Sequence, residues 1–188
     1  MEWIRLGRGS IGAVPGRGTR RHDGQRLTDM AGSVSTGHRR IAWTLVAIQA
    51  VLLAVMVLAP RGVHWSLSPV VNAAGRIMEV LGVMVGLWAA SVLGAGLTAS
   101  PLPNGRVGLV SRGPYRWVRH PMYTAVMVFM AGVAVLSGSW PVPSALVILV
   151  ALFNVKARWE EARLAEAFPG YADHRTATNR FLPCPVRI

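Results

Sequence analysis

The chain has one cysteine, Cys184, and one lysine, Lys156, in 188 residues. A single cysteine excludes an intrachain disulfide, and neither the paired Cys nor the His-rich spacing of a zinc site is present, so no metal centre is expected. Acidic residues are scarce: eight stand against twenty basic ones, for a formal net charge of +12 at pH 7. So basic a balance raises nucleic acid as a partner, but no nucleic-acid-binding motif appears and none is expected to bind. No apolar run precedes residue 41, so a cleaved signal peptide is not expected. Residues 1–39, rich in Gly, Arg, Ser and Thr, read as a disordered basic arm, with Met30 as an alternative start.

What the chain does have is long uncharged stretches. Residues 41–59 carry no charge, and nineteen helical residues reach about 28 Å, nearly the hydrocarbon thickness of a bilayer. Pro60-Arg61-Gly62 ends this run. A second span is expected over 80–98, with a start near Ala73 as the alternative, and Arg76 and Glu79 near its start stand at a spacing that allows pairing. The 35 residues from Pro121 to Val155 then hold no charge at all. As one helix they would reach about 53 Å, far beyond a bilayer core. Ser137-Gly138-Ser139-Trp140-Pro141-Val142-Pro143 breaks them in the middle, so the stretch goes in and comes back, giving spans at 121–137 and 141–155. The fold class is therefore all-α: a polytopic membrane helical bundle of about four transmembrane helices, including a C-terminal-half hairpin, with a further cytoplasmic helix in the tail. Residues 40–188 form one domain. Arginines cluster on alternate loops, which predicts that both termini and the 99–120 loop are cytoplasmic.

Two charged clusters bracket the uncharged hairpin. One runs from Arg112 to Tyr123 and includes Tyr115, Arg119 and His120; the other starts at Lys156 and includes Arg158, Glu160, Glu161 and Arg163. A hairpin returns both to the same membrane face. Helical spacing also aligns Lys156, Glu160, Leu164 and Phe168 on one side of a helix, so Glu160 shares its face with apolar residues. Each piece has a plainer explanation. His120-Pro121 is a good helix start, the glutamates can pair along their own helix, and Lys156 at the end of an apolar leg can snorkel to the headgroups.

The first cluster, Leu109-Val110-x-x-Gly113-Pro114-Tyr115-x-x-x-Arg119-His120-Pro121-x-Tyr123, closely resembles the signature of the isoprenylcysteine carboxyl methyltransferase family. So does the second, Glu160-Glu161-x-x-Leu164-x-x-x-Phe168-Pro169-x-Tyr171-x-x-His174, followed by Thr178-x-Arg180-Phe181-Leu182-Pro183. The related phospholipid methyltransferases share parts of both. The resemblance covers residues 100–183 and implies an S-adenosylmethionine site without a soluble nucleotide-binding fold. By position, it implies cofactor binding by Val107, Gly108, Leu109, Val110, Tyr115, His120, Pro121, Met122, Tyr123 and Glu160. It places Lys156 toward the methyl acceptor, with Arg158 as a second candidate. Should the acceptor be an amine or thiol, His120, Glu161 and His174 are the candidate bases. The chain departs from the family pattern in places: His174 stands for a Tyr, Thr124-Ala125 replaces a common Tyr-x-Gly, and Lys156 stands where eukaryotic members have Arg. Lysine cannot make the bidentate fork that arginine offers a carboxylate.

The resemblance thus implies a membrane methyltransferase using S-adenosylmethionine on a lipophilic or prenylated acceptor, with carboxyl O-methylation among the reactions. Membrane lipids are the expected surroundings, and the Arg, Ala and Gly bias suggests a bacterial inner membrane. Two alternatives remain open at this stage: an NADPH-dependent membrane reductase of the steroid-reductase type, and a non-catalytic membrane scaffold.

Overall fold

The computed structural model describes residues 36–62, 65, 67–96, 109–168 and 170–183. Five α-helices are present among these: α1 (Thr36–Leu58), α2 (Pro69–Leu93), α3 (Pro121–Ser137), α4 (Pro141–Ala167) and α5 (Tyr171–Ala177). No strand occurs among the described residues, so the all-α membrane architecture holds. Three of the helices, α1, α2 and α4, are long and apolar enough to cross a membrane, whereas α3 is apolar but only 17 residues long. At 1.5 Å per residue α3 reaches about 26 Å, a little short of a bilayer core.

Helix boundaries differ from the sequence reading in three places. The basic arm is expected to run to residue 39, yet α1 is already helical at Thr36; residues 1–35 lie outside the described residues. The second span, expected over 80–98, begins at Pro69, where the Ser68 hydroxyl accepts from the Val71 N–H at 3.3 Å and proline occupies the first turn. Arg76 and Glu79 do not delay it, because they pair with each other at 2.9 Å along the helix; residues 97–98 lie outside the described set. Finally, α4 does not stop at Val155. It runs unbroken to Ala167, so one rigid element carries an apolar leg and the second charged cluster.

α2 packs along α3, α1 packs along α4, and α3 and α4 form the hairpin. The first contact is made by small residues. A Cβ on Gly132 would lie 2.6 Å from the Gly75 carbonyl oxygen, and one on Gly82 would lie 2.7 Å from the Phe129 backbone nitrogen. Only glycine lets the two backbones come this close, a device suited to membranes, where apolar side chains gain little by leaving lipid. The buried core joins Met56 of α1, Met130 and Val133 of α3, and Val142, Leu149 and Phe153 of α4. Large apolar side chains also cover the outside: Leu58, Val70, Leu87 and Val147 are each more than 65% exposed. Such a surface is unfavourable in water and natural against lipid chains.

Candidate active site

The antiparallel α3–α4 pair brings the start of α3 beside the C-terminal half of α4, and the two charged clusters meet there. Gly113 opens a short 3₁₀ turn (Gly113–Arg116) that leads to them. Its φ is +58°, and a Cβ would come within 2.8 Å of the Val92 side chain, so the turn both needs the left-handed region and lies tight against α2. Trp117 meets Trp88 of α2 edge-on, with ring centroids 5.5 Å apart.

Glu160 and Glu161 are neighbours in sequence but face different partners. Glu161 is buried and accepts from Arg180 at 2.9 and 2.8 Å, from Arg119 at 3.0 Å, and lies 3.2 Å from His120 Nε2. The Arg180 contact is a two-pronged guanidinium–carboxylate pair. Arg119 also donates to the Arg175 carbonyl at 2.9 Å and to the Thr178 carbonyl. The segment after α5 returns alongside α3: Val118 and Asn179 form a parallel bridge, the His120 N–H donates to the Arg180 carbonyl at 3.1 Å, and the Thr124 hydroxyl donates to the Phe181 carbonyl at 2.8 Å. Glu161 is thus the centre of a clasp joining α4, the α3 entry and the tail.

Glu160 is differently placed. Its side chain keeps 27% exposure and accepts one hydrogen bond, from the Tyr123 hydroxyl at 3.1 Å, with His120 Nδ1 at 3.6 Å. His120 thus stands between the two carboxylates, with Nε2 3.2 Å from Glu161 and Nδ1 3.6 Å from Glu160. The Tyr123 ring is sandwiched between two others. His120 stacks on it at 5.3 Å and Phe153 at 4.7 Å, both within 10° of parallel. This stack fixes where the Tyr123 hydroxyl points.

Lys156, one turn before Glu160, is buried at 2% exposure. Its Nζ donates to Gln49 Oε1 of α1 at 2.5 Å and lies 5.3 Å from the Tyr123 ring centroid and 5.9 Å from that of Phe153. Tyr115 is buried, and burial together with the Glu160 charge pushes its hydroxyl up to about 12, so it remains a protonated donor at neutral pH. Tyr171 is likewise pushed up to about 12 by burial and then by Glu161; its buried hydroxyl has no hydrogen-bond partner among the described residues. His174 lies 6.3 Å from Tyr171 ring to ring, and burial, then Arg119 and His120, hold it below the ordinary histidine range.

The structure therefore brings together Tyr115, His120, Tyr123, Lys156, Glu160 and Glu161. Pro121 is fully buried at the start of α3, and Leu109, Val110 and Met122 are half-buried. Val107 and Gly108 lie outside the described residues. Arg158 is exposed, without an ion pair among the described residues, and sits about 160° around α4 from Glu160. Arg119, Tyr171, Arg180, Phe153 and Gln49 had no assigned role in the sequence reading. Arg180 carried a signal, as a cation in the quoted tail motif; Phe153 had none beyond being aromatic. Gln49 was legible only as an amide inside an uncharged run.

The sequence profile of a family described as phospholipid methyltransferase matches residues 70–170. The chain is similar to a cobalt-zinc-cadmium resistance protein of Cupriavidus metallidurans, at 30% identity over 149 residues, covering 79% of this chain and 65% of that protein. It is also similar to a nickel-cobalt-cadmium resistance protein of Alcaligenes xylosoxydans xylosoxydans, at 25% identity over 152 residues, covering 80% of this chain and 67% of that one. The chain thus spans about two thirds of the length of these relatives.

Proposed function

The chain belongs to the phospholipid methyltransferase family, and from that premise we propose that it transfers a methyl group from S-adenosylmethionine to a lipid-like acceptor at the cytoplasmic membrane face. The observation that carries this is the pairing of Glu160 with Tyr123 and His120 at the base of the hairpin. Glu160 is a part-exposed carboxylate with one hydrogen bond, so it has lone pairs left for the ammonium of an amino-acid moiety. Tyr115 and the unspent Tyr171 hydroxyl add protonated donors suited to that moiety's carboxylate. The donor set fits the cofactor.

When bound, S-adenosylmethionine supplies an electrophilic methyl group on a positively charged sulfur. The residues of this chain contribute alignment and exclusion of water, the main requirements of an in-line displacement. Glu160 and Tyr123 hold the cofactor end; Glu161 acts on position, by fixing His120 and tying the tail across the site; Lys156 faces the acceptor. Glu161 is not proposed as the base, because Arg119, Arg180 and His120 already occupy its oxygens. A carboxylate acceptor needs no base. For an amine or thiol, His174, held neutral by its surroundings, is the proposed one. We place both termini in the cytoplasm of a bacterial inner membrane, on the alternation of arginines along the chain.

The relatives are named for resistance to metal ions. We favour modification of a membrane component, because the family match is to phospholipid methyltransferases. The test is incubation of membranes containing the protein with methyl-labelled S-adenosylmethionine. Label is expected in the lipid-extractable fraction and absent with Glu160→Gln. Binding of NADPH instead of S-adenosylmethionine would turn the reading to a reductase, and binding of neither to a scaffold.

A further inference from the structure

Gln49 lies eight residues into the first uncharged run, about 12 Å along α1 from Ile41. A polar side chain at that depth is costly unless it is used. Thr44, the other polar residue of the run, satisfies its hydroxyl on its own helix, at the Arg40 carbonyl. Gln49 instead reaches across to α4, where its Oε1 accepts from Lys156 Nζ. An ammonium has only donors, so the amide oxygen must face it. The amide nitrogen then points away from Lys156, and its two N–H groups have no hydrogen bond among the described residues. Lys156 has spent one of its three donors, and on a neutral group, which compensates a buried charge less well than a carboxylate would. The Tyr123 and Phe153 ring faces add attraction for the cation without taking up a donor. Ammonium and amide thus stand side by side with donors in excess of acceptors. The amide, on half-buried Gln49, is the more accessible of the two.

We infer that Gln49 and Lys156 together bind the oxyanion of the methyl acceptor, a carboxylate or phosphate on a lipid-like chain, with the Gln49 amide supplying a directed N–H donor beside an ammonium that acts as a point charge. An arginine would offer two parallel N–H groups from one side chain; here two helices share the task, and α1 becomes part of the specificity of the site. The inference rests on the reading of Lys156 as acceptor-facing.

The test is equilibrium binding to the purified full chain in phosphatidylcholine nanodiscs, in mildly alkaline buffer, with three probes: labelled oleate, lysophosphatidate and oleyl alcohol. At least one anion is expected to bind about tenfold or more tightly than the alcohol, with oleate identifying a carboxylate site and lysophosphatidate a phosphate site. Gln49→Leu is expected to lose about tenfold of that affinity. Gln49→Glu is expected to lose more, because its carboxylate would take the ammonium for itself. A merely structural partner of Lys156 predicts instead that Gln49→Leu, which removes the N–H without adding a charge, keeps the anion affinity of the unaltered chain. S-adenosylmethionine binding checks that both variants fold. Anion binding by Gln49→Leu equal to that of the unaltered chain, or no preference for either anion over the alcohol, overturns the inference. If the unaltered chain prefers an anion but binds no S-adenosylmethionine, the methyltransferase reading falls while the paired-donor site stands.

Discussion

Replacing Glu161 and Glu160 in turn by glutamine separates the clasp from the proposed cofactor site. Glu161→Gln keeps size and removes charge. It leaves the Arg119 and Arg180 guanidiniums, 11% and 23% exposed, around a neutral amide. Breaking a buried ion pair by removing one partner costs about 3–5 kcal/mol. Arg180 can turn partly to water, so the low end applies, about 3 kcal/mol. For a chain of this size each kcal/mol lowers Tm by roughly 2–4 °C, giving a loss of roughly 6–12 °C. Glu160→Gln removes a charge from a part-exposed carboxylate with one hydrogen bond, which the amide oxygen can still accept from Tyr123. Its stability cost is about 1 kcal/mol or less. Its cost to cofactor binding is large: a lost charge-assisted hydrogen bond of about 1.5–3 kcal/mol is roughly 10- to 150-fold in affinity. The assays are thermal unfolding in detergent, followed by tryptophan fluorescence, and equilibrium binding of S-adenosylmethionine. Equal Tm losses for the two variants would refute the division of labour. Unchanged cofactor affinity in Glu160→Gln would remove Glu160 from the site.

His174 is held below its ordinary value of 6.5 by burial, Arg119 and His120, so the fold favours the neutral ring; its contribution is present above about pH 6.5 and lost as pH falls through the lowered value. Tm of the unaltered chain should therefore fall more steeply between neutral and acidic pH than that of His174→Tyr, and parallel curves would count against this. Gly132→Ala places a methyl 2.6 Å from the Gly75 carbonyl oxygen and should cost about 1–3 kcal/mol by forcing α2 and α3 apart. Gly86→Ala, whose Cβ would sit 3.5 Å from that of Ala125, should gain up to about 1 kcal/mol from helix propensity; denaturation of both variants checks the contrast. A reporter fused after residue 188 should be active only in its cytoplasmic format, and a signal from the opposite face would overturn the orientation.

The sequence alone determined that this protein is a membrane helical bundle and that its two charged clusters meet. Hydrophobicity is a local property, and in lipid the backbone must satisfy its own hydrogen bonds, so an uncharged run has few structures open to it. The 35 uncharged residues from Pro121 to Val155, broken at Ser137–Pro143, are too long for one span and so imply a hairpin. A hairpin then brings His120 and Tyr123 to Glu160 and Glu161 without further assumption. What only the tertiary structure decided is which of two adjacent glutamates does what. Consecutive helical residues differ by about 100° in direction, so Glu160 turns toward the Tyr123 hydroxyl and Glu161 toward two arginines. One of these, Arg180, lies 19 residues further on and arrives only because the tail folds back onto α3. Gln49, 107 residues before Lys156, is likewise set opposite it by the packing of α1 on α4. Such pairings are made by helix approach, down to the glycine contacts between α2 and α3. Helix approach depends on how whole surfaces fit together, which no local pattern of residues encodes.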